Sequence, residues 1–111
     1  MSTGSTAHDD PPTACSLTAA DATRQRGAFA SLCERALVDV ERGDTTVAFR
    51  FRDEEGVRRE IDEYVDVERG CCGFLDFAVE DREGLPVMRI AAGEGTPAAV
   101  LHSMYGPPGR A

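Results

Sequence analysis

Apolar residues recur along the chain with two alternating periods, and each change of period marks a change of element. Leu17-Thr18-Ala19-Ala20-Asp21 has the form of a helix entrance, with Thr18 as N-cap and Asp21 three residues on as an acidic variant of the capping box. The residues that follow place Ala22, Phe29, Leu32, Cys33 and Ala36 on one face at helical spacing, which predicts a helix ending around Arg35. The same period runs on through Leu37 and Val40, so the pattern leaves that boundary open. Val38 to Glu41, a turn at Arg42-Gly43-Asp44 and Thr45 to Arg52 then predict a β-hairpin. In its second arm Val47, Phe49 and Phe51 alternate with Ala48, Arg50 and Arg52, the mark of a half-buried strand.

From Glu54 to Arg69 the spacing returns to helical. Val57, Ile61, Tyr64, Val65 and Glu68 form one stripe, and Gly70 is placed to stop the helix at C′. Phe74 to Glu80 predicts a strand with Leu75, Phe77 and Val79 on one face. A turn over Asp81 to Pro86 leads to a partner strand, Val87 to Ala92. Thr96-Pro97 supplies N-cap and N1 chemistry for a last short helix carrying Val100, Leu101 and Met104, and Gly106-Pro107-Pro108-Gly109 ends it. The order α-ββ-α-ββ-α predicts an α+β two-layer sandwich, a four-stranded antiparallel sheet with helices on one face. One domain over residues 14–106 is expected, between a polar, disordered tail at 1–13 and a disordered C-terminal end at 107–111.

Composition then narrows the function classes. The 111 residues carry a net charge of −8, and all 12 basic residues are arginine. Nucleic acid is therefore disfavoured as a partner, because binding it needs cationic side chains to release counterions from phosphate. No apolar run approaches the roughly 20 residues that span a bilayer, so no membrane partner is expected. The N-terminus lacks the basic and apolar regions of a secretory signal. The expectation is a cytoplasmic, reduced protein whose four cysteines stay thiols unless a metal or a catalytic cycle engages them. An arginine-only acidic surface fits either a GC-rich genome or adaptation to salt. His8 and His102 have no partner at ligand spacing and read as surface residues, and Gly93-Glu94-Gly95 reads as a connector.

The candidate chemistry lies in the cysteines. Cys71 and Cys72 are adjacent, at the end of the second helix. Structural zinc favours spaced pairs, since neighbouring side chains struggle to fill adjacent tetrahedral vertices. A thioredoxin-type centre wants C-x-x-C at a helix N-terminus, whereas a helix C-terminus opposes thiolate formation. A vicinal pair suits soft ions of low coordination number, such as mercury(II), arsenic(III) or copper(I), with a thiolate from a third residue. Cys15, just before the first helix, and Cys33, near its end, lie at opposite ends of it, roughly 25 Å apart if it is straight, so both cannot readily join the pair. Cys33 falls on the apolar face and reads as core. Cys15 has no core role and is the candidate third ligand. Glu68 breaks the apolar stripe and, if the last turn persists, shares a side with Cys72; it is the candidate group behind the thiols. Three other readings stay open: the cysteines pack structurally in a regulatory interaction module, they form a thiol redox centre, or they serve a thiol-dependent enzyme.

Glu68-Arg69-Gly70-Cys71-Cys72-Gly73-Phe74-Leu75-Asp76-Phe77 resembles the E-x-x-C-C-P-F-x-x-F motif of a group of small, largely uncharacterised prokaryotic proteins. Cys15-Ser16-Leu17, with Arg24 and Arg26 downstream, is similar to their C-x-L opening and following arginine. The resemblance runs from Cys15 to Tyr105, and Gly73 stands where that group carries proline. It implies a heavy-metal resistance context, with Cys15, Cys71 and Cys72 as the matching cysteines and Cys33 outside the pattern.

Overall fold

The computed structural model describes residues 18–71, 73–106 and 108–110. Helix α1 spans Ala19–Ala36, and Thr18 caps it as expected, its hydroxyl accepting from the Asp21 amide at 3.1 Å. Strands β1 (Leu37–Arg42) and β2 (Thr46–Phe51) form the first hairpin. Helix α2 (Val57–Cys71) follows, then the second hairpin of β3 (Leu75–Arg82) and β4 (Leu85–Ala92), then α3 (Ala98–Tyr105). The four strands form one antiparallel sheet, and the fold is the expected α+β arrangement. Gly109–Arg110, in the stretch expected to be disordered, adds a two-residue strand β5 against β1, so the sheet order is β3-β4-β2-β1-β5. The tail at 1–13 lies outside the described residues.

Period-2 alternation sorts the sheet into two faces. Val40, Val47, Phe49, Phe51, Leu75, Phe77, Met88 and Ile90 share one face and form a single core with Leu32, Ala36, Ile61, Val65 and Leu101 of the helices. The joint between the hairpins sets Val47 opposite Ile90 and Phe49 opposite Met88. Burying each such side chain contributes about 1.5–3 kcal/mol. The other face carries Asp39, opposite Arg50 in register and ion-paired with it at 3.1 Å. One irregularity precedes that pair: Val38 bulges from β1 and is exposed. All five residues of the predicted α2 stripe, Val57, Ile61, Tyr64, Val65 and Glu68, are buried.

Three local expectations are corrected. Gly70 does not stop α2; it has no positive φ, and the helix passes through it to Cys71. The second hairpin turns at Glu83-Gly84 alone, both at positive φ, which gives the mirror-image two-residue turn whose twist matches paired strands. Pro86 consequently sits inside β4, opposite Asp81 and beyond the Val87–Ala91 stretch that pairs with β2, where its missing N–H costs no β2–β4 ladder bond. Thr96 does not cap α3. The N-cap is Pro97, with no side-chain cap bond, because the Thr96 hydroxyl donates to the Phe74 carbonyl at 2.9 Å.

Candidate functional site

Helices α1 and α2 lie antiparallel. Gln25, Phe29 and Arg35 of α1 meet Glu68, Tyr64 and Glu60 of α2 in reverse order. The start of α1 and the end of α2 are thereby brought to the same end of the helical layer. Cys15 precedes the Thr18 cap by three residues, a span of at most about 10 Å of extended chain. Cys15 and Cys72 lie outside the described residues; Cys71 is the last residue of α2.

Glu68, one turn before Cys71, is only 5% exposed. Its Oε2 accepts from Gln25 Nε2 at 2.8 Å, and the same amide lies 3.4 Å from the Tyr64 carbonyl. A polar residue on the apolar stripe of one helix thus meets a polar residue on that of its neighbour. Burying such groups is costly unless they are hydrogen-bonded, and this pair supplies the bond. Gln25 is the residue that sequence reasoning missed. Its position completes the α1 stripe three residues after Ala22 and four before Phe29, and a match between the two polar breaks was the available signal.

The chain around the cysteine pair is pinned on both sides. Before it, Arg69 donates to the Phe77 carbonyl of β3 at 2.7 Å. After it, the Phe74 carbonyl accepts from both the Gly93 amide at 3.1 Å and the Thr96 hydroxyl at 2.9 Å. Gly93 belongs to the segment expected to be a mere connector, yet a Cβ there would come within 2.9 Å of the Phe74 oxygen. Glycine is required by that close approach. Gly73 therefore sits in a junction held by hydrogen bonds on both sides.

A cavity of about 500 Å³ opens beside Glu68, lined by residues of α1, α2 and α3. Its wall carries three aromatic rings beside the polar side chains of Gln25, Arg26, Glu68 and Ser103. Phe29 stacks on Tyr64 at 5.2 Å between centroids and meets Tyr105 edge-on at 6.0 Å. The Tyr64 and Tyr105 hydroxyls, both buried, are paired at 2.9 Å. Burial, with Tyr105 and Glu68 adding to it, pushes the Tyr64 phenol far above its ordinary range. Tyr105 takes the core position that the sequence pattern gave to Met104, which is exposed, while the expected Leu101 is buried.

Cys33 is half-buried and packs against the core, consistent with its reading as a packing residue. Burial pushes its thiol up to about 11, which leaves it protonated and unreactive at neutral pH. His102 bonds through Nε2 to the Asp44 carbonyl at 2.9 Å, tying α3 to the first hairpin turn; His8 lies outside the described residues. Among the described residues no group of three or more His, Cys, Asp or Glu side chains is placed to hold a metal ion, and no helix is long and apolar enough to cross a membrane. No family model, curated protein or solved structure matches this chain.

Proposed function

We propose that the chain binds a soft metal or metalloid ion of the mercury(II), arsenic(III) or copper(I) type, as a reduced cytoplasmic protein of a heavy-metal resistance context. Cys71 and Cys72 are the primary thiolates and Cys15 the third. The observation that carries this reading is the placement of a buried, hydrogen-bonded carboxyl, Glu68, one helical turn before a vicinal cysteine pair whose flanks are both tied down. The antiparallel packing of α1 and α2 supports the choice of Cys15, because it carries the start of α1 toward the end of α2.

Soft ions bind thiolate, so each cysteine must lose its proton on binding. Glu68 is the group that accepts such a proton or orients a thiol, and Gln25 fixes the carboxyl for that task. Cys71 ends a helix, where the partial negative charge of the C-terminus opposes an uncompensated thiolate. That weighs against a thiol nucleophile acting unaided and favours a thiolate formed on a cation. Affinity for the ion accordingly rises with pH up to the ordinary thiol range near 8.5.

Native mass spectrometry of the full chain with mercury(II), arsenite and copper(I) tests the reading. A 1:1 adduct is expected in the wild type and in Cys33→Ser, and its loss in Cys71→Ser/Cys72→Ser. No adduct with any of the three ions, or an adduct unchanged in the double variant, overturns it.

A further inference from the structure

We propose that the cavity between α1, α2 and α3 receives a neutral, largely hydrocarbon small molecule of the aromatic or alicyclic class, in preference to ions of either sign. Its volume of about 500 Å³ falls in the roughly 300–1,000 Å³ range of small-molecule sites. The polar side chains of its wall select against a polar occupant, because their bonds are already made within the chain. Gln25 donates to Glu68 at 2.8 Å, and Ser103 Oγ donates to the Val100 carbonyl at 2.9 Å. The Tyr64 and Tyr105 hydroxyls are spent on each other, and Glu68 and Tyr105 each have a further partner. Among the described residues, only Arg50 Nε is a buried side-chain polar atom without a hydrogen-bond partner, and Arg50 lies on the far face of the sheet. A polar group entering the cavity would leave water with no waiting bond to gain, which makes its burial costly.

The charges of the wall point the same way. Arg26 and Glu68 both line the cavity and are of opposite sign, so among the described residues the wall holds no excess charge for an ion of either sign. Arg26 is exposed and donates to Thr23 Oγ1 of its own helix at 3.2 Å. What stays open to an occupant is apolar: the methyl of Ala22, the thioether of Met104 and the three rings. Phe29 and Tyr64 stack on one another, 28° from parallel, so they offer dispersion contact to a hydrocarbon rather than two open faces to a cation. Met104 is 41% exposed although it lines the cavity, so it stands between the cavity and solvent, and its unbranched side chain can adapt to the shape of what enters. None of these groups is a cysteine, so the inference stands apart from the thiol reading.

The chain has no tryptophan and two tyrosines, and both tyrosines line this cavity, so tyrosine emission reports on this site. The full chain is titrated with neopentylbenzene, with its cationic isostere benzyltrimethylammonium, and with the anion phenylacetate. Saturable 1:1 binding of neopentylbenzene is expected, with both ions at least about tenfold weaker. Ala22→Phe, which adds a ring to the wall, is expected to weaken neopentylbenzene at least about tenfold while its far-UV circular dichroism stays unchanged. Absence of saturable neopentylbenzene binding, an ion that binds as tightly, or an unaltered affinity in Ala22→Phe overturns the proposal. Should that variant not fold, the comparison of the neutral molecule with the two ions on the wild type decides alone.

Discussion

Removing the Tyr64–Tyr105 hydroxyl pair one oxygen at a time measures how the aromatic wall is held together. The two hydroxyls lie 2.9 Å apart, and each residue is 8% exposed, so water is largely excluded from the bond. A neutral hydrogen bond contributes about 0.5–1.5 kcal/mol net, while a buried hydroxyl robbed of its partner costs about 1–3 kcal/mol. Tyr64→Phe is therefore expected to destabilise the fold by about 1–2 kcal/mol. Tyr105→Phe should cost a similar amount. The double variant leaves neither oxygen, so it should cost less than the two single changes together, with a coupling energy of about 1 kcal/mol. At this chain length about 1 kcal/mol moves Tm by roughly 4 °C. Urea denaturation followed by far-UV circular dichroism is the assay, and an unchanged denaturant slope confirms that stability alone has shifted. Strict additivity, with a coupling below about 0.3 kcal/mol, would refute the pairing.

Gly106→Ala is expected to cost about 2–4 kcal/mol in the same assay. It forces a side chain onto a φ of +103° and drives a Cβ to 2.6 Å from Arg42 Nε, which donates to the Tyr105 carbonyl at the end of α3. Asp81 accepts from Arg58 at 2.8 Å, and that bond holds its carboxyl below the usual range. Its contribution to stability is present above the unfolded-state aspartate pKa and lost as pH falls through the lowered folded value. Carbon-13 NMR titration should show Asp81 returning to the ordinary range in Arg58→Ala. With its thiol pushed up to about 11, Cys33 should resist iodoacetamide at pH 8 and be alkylated faster only as pH approaches that value; reaction at an ordinary thiol rate at pH 8 refutes the burial argument. The stability that Cys33 gains by staying neutral is complete below the unfolded thiol pKa and lost as pH rises toward 11.

Strong local periodicity was legible, and contacts distant in sequence were not. The α2 stripe from Val57 to Glu68 and the alternation of Val47, Phe49 and Phe51 each follow from a single geometric period, and the structure buries every one of those residues. The Thr18 cap is equally local. Gly70 misled because glycine near a helix end usually signals a left-handed stop, yet its cost of about 1 kcal/mol inside a helix is small beside the packing of α2 and the Arg69 bond to β3. Thr96 misled because its hydroxyl had a better use, 22 residues away in sequence, at the Phe74 carbonyl. The candidate site divides in the same way. Glu68 stood out as a charged residue on an apolar stripe, whereas its partner Gln25 and the cavity beside it depend on how α1 settles on α2, which no single helix pattern encodes.

The joint between the two hairpins has a kinetic meaning. Each hairpin links neighbouring segments through a short loop and can close on a timescale of about 1–10 μs. Pairing β2 with β4 joins residues such as Phe49 and Met88, which lie far apart along the chain, and it has to enclose the whole of α2 and β3. That step carries the main loop-closure entropy of the sheet, and it is repaid only when Val47 and Phe49 meet Ile90 and Met88. Substitutions along this seam should therefore slow folding, while changes at the outer strand edges should mainly speed unfolding.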